Sequence, residues 1–225
     1  GLGRLLLARL VAEQAAAGRS LLGTGFAATA GLLRFWQRCG FVPVRLAMTR
    51  SPVSGEHSLI MVHGLDAPGQ RLADLLGCRF GLQTPPILAD ALRGLDPRLA
   101  LAVLAAVPRR LPPRLEAWEW EDAVAAAFGH RLYDVTVGPL WELCRGYLTD
   151  PQPPMELSER ERLRLLLKVI QRRTWSEVAE IMEESLRPCM RALRQALQPL
   201  VRAYGPSELV PLIARFRGAR RAGRG

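Results

Sequence analysis

The stretch FAATAGLLRFWQRCGFVPVRL, residues 26–46, carries the strongest structural signals of the chain. Thr29 is a typical helix N-cap and Gly40 is typical of the position just after a helix, so the residues between them predict a helix. The segment FVPVRLAM, residues 41–48, predicts a strand whose proline lies near an edge or a bulge. The end of the helix places Phe35 and Trp36 between two arginines, which makes it a candidate binding surface.

The segments around this stretch extend the pattern. Residues 1–18 predict a glycine loop followed by a helix with an apolar stripe, ended by Gly18. SLLGTGF (20–26) predicts a buried strand, and HSLIMVHGL (57–65) predicts another strand after the turn SPVSGE. The order helix, strand, helix, strand, strand predicts the C-terminal half of an α/β sandwich, whose opening strands we expect in a longer protein.

Beyond residue 66 the pattern is helical with frequent prolines, so the expected fold class is α+β. Two capping boxes, Ser158 with Glu161 and Thr174 with Glu177, predict two helix starts. A basic helix is predicted over residues 186–204, and the glycine- and arginine-rich residues 214–225 predict a disordered tail. The other predicted helix starts are Pro86, Asp96, Leu115 and Pro139.

The charge of the chain is unevenly distributed. The net charge is +10, and residues 156–225 carry 14 arginines and Lys168 against 8 acidic residues. This excess favours a polyanionic partner such as nucleic acid. The alternative is a GC-rich genome that encodes arginine wherever a cation is needed, which a single lysine beside 30 arginines would also fit.

The cysteines and histidines exclude the common metal sites. Four widely spaced cysteines form no CxxC pair, and three dispersed histidines add no ligand cluster, so we predict no metal and a reduced, cytoplasmic protein. No apolar run approaches the roughly 20 residues that cross a bilayer. The chain opens on GLGR without a methionine, and we therefore expect it to be an internal start.

The opening GLGR followed by a helix has the form of a phosphate-binding turn. Glycines allow backbone N–H groups to converge on a phosphate, and a helix N-terminus adds partial positive charge. A simple turn is the alternative. Together with the helix that ends in RFWQRCGF, the loop resembles the GNAT acetyltransferase superfamily, and residues 26–46 with SPVSGEHS (51–58) are similar to the tRNA(Met) cytidine acetyltransferase family. The segment WEDAVAAAFGHRLYDVTVGPLWEL (120–143) resembles the RNA-binding part of that family more loosely.

The resemblance implies acetyl transfer from acetyl-CoA to the exocyclic amine of the wobble cytidine of elongator tRNA(Met). It also implies an ATP-driven module elsewhere in the protein, because this chain has no P-loop. Since the strand and loop start expected before Gly1 are missing, the isolated chain is expected neither to bind acetyl-CoA well nor to turn over. The cofactor-binding residues that the resemblance implies are Gly1, Leu2, Gly3, Arg4, Gly31 and Arg38.

The same resemblance leaves the general acid unassigned. A neutral aromatic amine needs alignment and oxyanion stabilisation rather than prior deprotonation. Trp36 occupies the position where many GNAT enzymes have a tyrosine, and an indole is not a usable acid. Trp36 therefore packs on the cofactor or a base, or it belongs to the core. Glu56 and His57, adjacent on a strand, point to opposite faces and are not predicted as a catalytic pair.

The predicted organisation is a GNAT part over residues 1–66, a tRNA-binding helical region over 67–154 and a basic helical region over 155–225. Arg34, one turn before Arg38, faces cofactor, RNA or solvent. The aromatic residues of 118–141 are interpreted mostly as helix core.

The rival hypothesis is a DNA-binding helix-turn-helix over residues 157–198, and a third hypothesis treats residues 67–225 as a structural cap on the sandwich. The candidate RNA contacts are Arg34, Arg109, Arg110, Arg114 and Arg131, and the recognition helix of the rival would use Arg187, Arg191 and Arg194.

Overall fold

The computed structural model describes residues 1–222 and has the predicted α+β class. It divides into two compact units, Gly1–Leu111 and Pro112–Gly225. The predicted boundaries at residues 66 and 154 do not coincide with this division, because residues 67–111 fold with the sheet. Within residues 1–222, no helix combines the length and the apolar character that crossing a bilayer requires.

The first unit contains a three-stranded antiparallel sheet in the order β1–β3–β2. The predicted order helix, strand, helix, strand, strand is confirmed. Pro43 of β2 lies at an edge strand beside a register shift, as its sequence position predicts. The elements are α1 (Leu2–Ala16), β1 (Leu21–Ala27), α2 (Ala30–Arg38), β2 (Val42–Arg50), β3 (His57–Gly64), α3 (Ala67–Ala89) and α4 (Pro97–Leu104).

Local signals define the ends of α1 and α2. The Thr29 hydroxyl accepts a hydrogen bond from the Leu32 N–H at 3.3 Å, which caps the N-terminus of α2. Gly18 and Gly40 follow the C-termini of the two helices with φ of 73° and 84°, a conformation that favours glycine. Both predicted helix ends are therefore confirmed.

Helix α3 follows β3 directly and packs against β2 and β3. Asp66 caps it: its carboxylate accepts hydrogen bonds from the Gly69 N–H at 2.6 Å and from the Ser20 hydroxyl at 2.6 Å. Gly69 lies so close to the chain that a Cβ built there would be 1.7 Å from the Ser20 carbonyl oxygen. The junction between β1 and α3 thus depends on a carboxylate and a glycine.

One prediction in this unit is wrong, and the apolar stripe of α1 is more exposed than its pattern suggests. The helix start predicted at Pro86 lies inside α3, which includes both Pro85 and Pro86 and ends three residues later at Ala89. The apolar stripe of α1 is largely exposed: Leu7 is the one buried residue of the helix, while Leu2, Leu5 and Leu6 are 80%, 69% and 67% exposed. The apolar pattern fits a helix but does not show what covers its face.

The second unit is helical throughout its described part. The capping boxes at Ser158 and Thr174 are confirmed, and the basic helix predicted at 186–204 is α9. The helix starts predicted at Leu115 and Pro139 lie within two residues of the first residues of α5 and α6. The start predicted at Asp96 is confirmed, because Asp96 caps α4 in the first unit. The elements are α5 (Ala117–Phe128), α6 (Val137–Leu148), α7 (Glu159–Leu165), α8 (Trp175–Met182), α9 (Leu186–Tyr204) and α10 (Val210–Ala222).

Three features of this unit differ from the sequence predictions. Helix α7 continues into a π-helical segment, Leu166–Ile170, whose five residues are all buried. The predicted disordered tail is wrong for residues 214–222, which belong to α10, while residues 223–225 lie outside the described part of the chain. Trp118, expected in the core, is 61% exposed, whereas Trp120 and Phe128 of the same helix are buried as expected.

Candidate functional site

The predicted phosphate loop is short. Helix α1 begins at Leu2, so Gly1 is its N-cap and Leu2, Gly3 and Arg4 form its first turn. The Arg4 N–H bonds the Gly1 carbonyl at 3.1 Å. Gly3 lies beside α2, because a Cβ built on it would be 3.6 Å from the Phe35 ring. The structure therefore brings the N-terminal turn of α1 next to the helix that carries the other predicted cofactor residues.

The two predicted cofactor-binding residues of helix α2, Gly31 and Arg38, lie at opposite ends of the helix. Gly31 lies in the first turn, where a Cβ built on it would meet nothing within 4 Å, and Arg38 is the last residue. The Arg38 Nε donates to the Arg34 carbonyl oxygen at 3.2 Å, which holds the side chain against the last turn of the helix. Both arginines are exposed. The Arg38 guanidinium keeps further N–H donors for an anion, so its role in cofactor binding stays a prediction.

Trp36 belongs to an aromatic cluster that joins α2 to the sheet. Its ring stacks near Phe26 of β1 at 6.0 Å and meets Phe35 and Phe41 edge to face at 5.4 and 4.9 Å. Such pairs contribute about 0.5–1.5 kcal/mol each beyond burial. This geometry holds the Trp36 ring by packing, which both interpretations left open by the sequence allow, and the residue is half-buried.

The histidines of the unit bind backbone carbonyls. His57 is buried, with Nδ1 at 2.9 Å from the Ala47 oxygen, and His63 Nδ1 lies 2.8 Å from the Gly40 oxygen. The His63 ring also stacks on Phe41 at 5.3 Å. Glu56 is exposed at the end of the turn. Both histidine rings are thus held by the main chain, and the view that Glu56 and His57 do not act as a pair stays a prediction.

The predicted RNA-contact arginines lie in both units. In the first unit, Arg109 forms an ion pair with Asp74 at 2.7 Å, which raises the pKa of its guanidinium, and Arg110 follows it on an exposed segment. In the second unit, Arg131 forms an ion pair with Asp122 at 2.9 Å, and Arg114 has an exposed side chain. Exposed pairs of this kind are weak and leave donors for a phosphate.

A buried ion pair positions Arg114. The Glu142 carboxylate accepts two hydrogen bonds from the buried Arg145, at 2.6 and 2.8 Å, and one from the Arg114 backbone N–H at 2.8 Å. Burial raises the pKa of the Glu142 carboxyl, but these hydrogen bonds outweigh burial and hold the pKa below its ordinary value. The segment that carries Arg114 is therefore fixed to α6 through its main chain, which directs the side chain outward.

The segment of the rival hypothesis, residues 157–198, contains α7, α8 and most of α9, and a short turn joins α8 to α9. Glu183 occupies the left-handed region at φ 54°, where the sequence has no glycine. Arg187 and Arg191 are exposed on α9, whereas Arg194 is half-buried and lines a cleft with Tyr133 and Trp175. Sequence reasoning misses this cleft, because the sequence shows Trp175 only as the residue after a capping threonine.

Comparisons with known proteins find similarity in both units of the chain. Residues 4–66 match the family GNAT acetyltransferase 2. The whole chain is similar to tRNA(Met) cytidine acetyltransferases named TmcA: it is 42% identical to that of Nitrosococcus halophilus over 91% of the chain, and 38% identical to that of Haloferax volcanii over 96%. It spans 28% and 29% of the length of these two relatives. Neither of these relatives is a DNA-binding regulator, so the rival hypothesis gains no support.

Proposed function

This chain belongs to the family of the tRNA(Met) cytidine acetyltransferases, and we therefore propose that it is part of an RNA acetyltransferase. The enzyme transfers the acetyl group of acetyl-CoA to the exocyclic amine of the wobble cytidine of elongator tRNA(Met), and it uses ATP through residues outside this chain. A cytoplasmic location goes with this proposal. The similarity extends beyond the GNAT match at residues 4–66 and so includes the second, helical unit.

The observation that carries the proposal is the contact between α1 and α2. Gly3 packs against Phe35, so the N-terminal turn of α1 and the aromatic–arginine end of α2 lie in one region. The N–H groups of a helix N-terminus favour a phosphate, and Arg4 and Arg38 add charge for a diphosphate. In this arrangement Gly1, Leu2, Gly3 and Arg4 hold the diphosphate of the coenzyme, while Gly31 and Arg38 line its pantetheine arm and phosphates.

The proposed reaction requires little acid–base catalysis from this chain. The cytidine amine is neutral at pH 7 and attacks the thioester carbonyl directly, so the enzyme must align the amine and stabilise the oxyanion. Because the Trp36 ring is engaged with Phe26, Phe35 and Phe41, we assign it the wall of the cofactor site rather than a proton-transfer role. No residue of this chain is assigned as general acid.

A chimeric enzyme tests the proposal. In the N. halophilus relative, the matching segment is replaced by this chain, and acetylated cytidine is measured by mass spectrometry of nucleosides from tRNA(Met). We expect acetylation that depends on acetyl-CoA. Arg38→Gln should raise the KM for acetyl-CoA by about tenfold, because it removes one charge-assisted hydrogen bond, whereas Arg50→Gln at the exposed end of β2 should leave it unchanged. A folded chimera that makes no acetylcytidine would refute the proposed function.

A further inference from the structure

A cleft in the second unit combines aromatic rings, apolar side chains and arginines. One of its sides belongs to the segment 120–143, which resembles the RNA-binding part of the family, whereas the resemblance gives no role to the side formed by α8 and α9. The volume of the cleft is about 70 Å³, and it lies between the short 3-10 turn Tyr133–Val135, α8 and α9. The residues that define its chemistry are Arg131, Leu132, Tyr133, Trp175, Met190 and Arg194.

The floor of the cleft is rigid. The Tyr133 and Trp175 rings meet edge to face at 5.7 Å, and the Lys168 Nζ lies 4.7 Å from each ring centroid. Lys168 belongs to the π-helical segment, donates to the Arg173 carbonyl oxygen at 3.0 Å and is 7% exposed. The Tyr133 hydroxyl in turn donates to the Lys168 carbonyl oxygen at 3.0 Å. Both rings are therefore held before any ligand arrives, which lowers the entropic cost of stacking on them.

The rim of the cleft is apolar and cationic. Leu132 is 68% exposed and Met190 is 45% exposed, although both line the cleft. Arg131 and Arg194 bring two guanidinium groups to the same place. A ligand that fits needs a flat, weakly polar part for the rings and an anionic part for the arginines. A nucleotide of a single-stranded RNA segment has both, since its base stacks on aromatic rings and its phosphate pairs with arginine.

We infer that one unstacked nucleobase of the RNA substrate binds at this cleft, stacked on Trp175 with Tyr133 meeting it edge-on, and with an adjacent phosphate at Arg131 and Arg194. This inference rests on the proposed function, because it gives the RNA a second contact in addition to the cytidine that reacts. A base in this cleft would position the tRNA without taking part in the chemistry. The Arg131–Asp122 pair does not prevent this, because a guanidinium has five N–H donors.

The test compares two short probes on the full 225-residue chain. One is a single-stranded RNA tetranucleotide, and the other is the same ribose-phosphate chain without bases. The ratio of their dissociation constants isolates the contribution of base stacking from that of phosphate. Stacking of one base contributes about 1–3 kcal/mol, so we expect the RNA to bind about 5- to 100-fold more tightly than the abasic probe.

Variants locate this contribution. Trp175→Leu removes the platform and should bring the ratio close to one. Met190→Glu places a carboxylate on the apolar rim, which a bound base would have to desolvate, so it should also lower the ratio towards one. Trp118→Leu, at a tryptophan that is 61% exposed on α5, should leave the ratio unchanged. Arg131→Gln should weaken both probes alike and preserve the ratio. Thermal unfolding of every variant verifies the fold, and Met190→Glu keeps the test decisive if Trp175→Leu unfolds.

A ratio near one in the unaltered chain, or a ratio that neither cleft variant changes, would overturn the inference. Binding of anionic phospholipid vesicles, blocked by Met190→Glu, in the absence of RNA binding would overturn it as well. These outcomes are independent of the chimera. An active chimera with a ratio of one refutes only the cleft, and an inactive chimera with a high ratio refutes only the proposed function.

Discussion

Gly69 occupies a site where no side chain fits. A Cβ built at this position would lie 1.7 Å from the carbonyl oxygen of Ser20, which belongs to the backbone and cannot rotate away. We predict that Gly69→Ala lowers the free energy of unfolding by about 1–3 kcal/mol or more, the cost of forcing atoms into a packed site. Urea unfolding of the chain measures this change.

The matched control is Gly31→Ala in the first turn of α2, where a Cβ meets nothing within 4 Å. There the substitution should leave stability unchanged or raise it by up to about 1 kcal/mol, because alanine has the higher helix propensity. Equal stability of the Gly69→Ala and unaltered chains would contradict the close approach of α3 to Ser20.

Asp66 gives the same junction a pH dependence. The hydrogen bonds from the Ser20 hydroxyl and the Gly69 N–H hold the pKa of its carboxyl below the ordinary value of 3.8. A carboxyl with a lowered folded-state pKa contributes stability above its unfolded pKa, and this contribution is lost as the pH falls through the folded value. We predict that Asp66→Asn lowers the melting temperature at pH 7, and that the difference from the unaltered chain shrinks below about pH 4.

Glu56→Gln serves as the comparison for this pH series, since Glu56 is exposed at the end of the turn before β3. Its melting temperature should follow that of the unaltered chain at every pH. A difference for Asp66→Asn that stays constant from pH 7 to pH 2 would show that the carboxylate charge is not what stabilises the start of α3.

At the scale of the element, the second capping box allows a direct test. The Thr174 hydroxyl accepts from the Glu177 N–H at 3.2 Å, and the Glu177 carboxylate accepts from the Thr174 N–H at 2.6 Å. Thr174→Ala removes the first of these bonds and the 2.8 Å bond that the hydroxyl donates to the Glu177 carboxylate, and it should cost about 1 kcal/mol in chemical unfolding. Thr174→Ser keeps a hydroxyl and should retain nearly all of the stability; an equal loss in both variants would locate the effect in the threonine methyl group instead.

Elements with local start and stop signals could be predicted from the sequence. Thr29, Gly40 and the two capping boxes satisfy backbone groups within a few residues, so their sequence context suffices. The full length of helix α3 could not be predicted, because a proline normally ends a helix. Here Pro85 and Leu88 are buried in the last turns, and this packing stabilises the helix against the missing backbone hydrogen bonds.

The surfaces formed by several elements were beyond sequence reasoning. Whether the apolar face of α1 is exposed or buried depends on what packs against it. The cleft of the second unit joins side chains from positions as distant as 131 and 194. The same holds for the candidate cofactor site: its residue types were predicted from a resemblance, but the contact of Gly3 with Phe35 is a tertiary feature. A sequence pattern predicts a face of a helix and not its neighbour.

At the scale of the whole molecule, the division into two units at residue 111 changes which part of the chain carries the excess positive charge. Residues 1–111 carry 13 arginines against 6 acidic residues, a net +7, and residues 112–225 carry 17 arginines and Lys168 against 15 acidic residues, a net +3. The excess in the last 70 residues is partly balanced by the acidic helices before it. Both units can therefore attract RNA, rather than the C-terminal region alone.

This distribution predicts two separable phosphate-binding surfaces. One comprises Arg109 and Arg110 in the first unit, and the other comprises Arg114 and Arg131 in the second. Replacing either pair with glutamine should reduce the slope of log K against log salt for tRNA by about 0.7–0.9 for each phosphate that the variant no longer neutralises, hence by up to roughly 1.8 per pair. Filter binding between 50 and 200 mM salt measures the slope.

The double variant Arg9→Gln with Arg50→Gln removes the same charge from α1 and β2, where no RNA contact is predicted, and should leave the slope unchanged. If all three double variants reduced the slope equally, the net charge of the chain and not these arginines would attract the RNA. If the unaltered chain bound no tRNA at 50 mM salt, the helical region would only cap the sheet. Because each pair lies within one unit, a slope change confined to one pair would assign RNA binding to that unit.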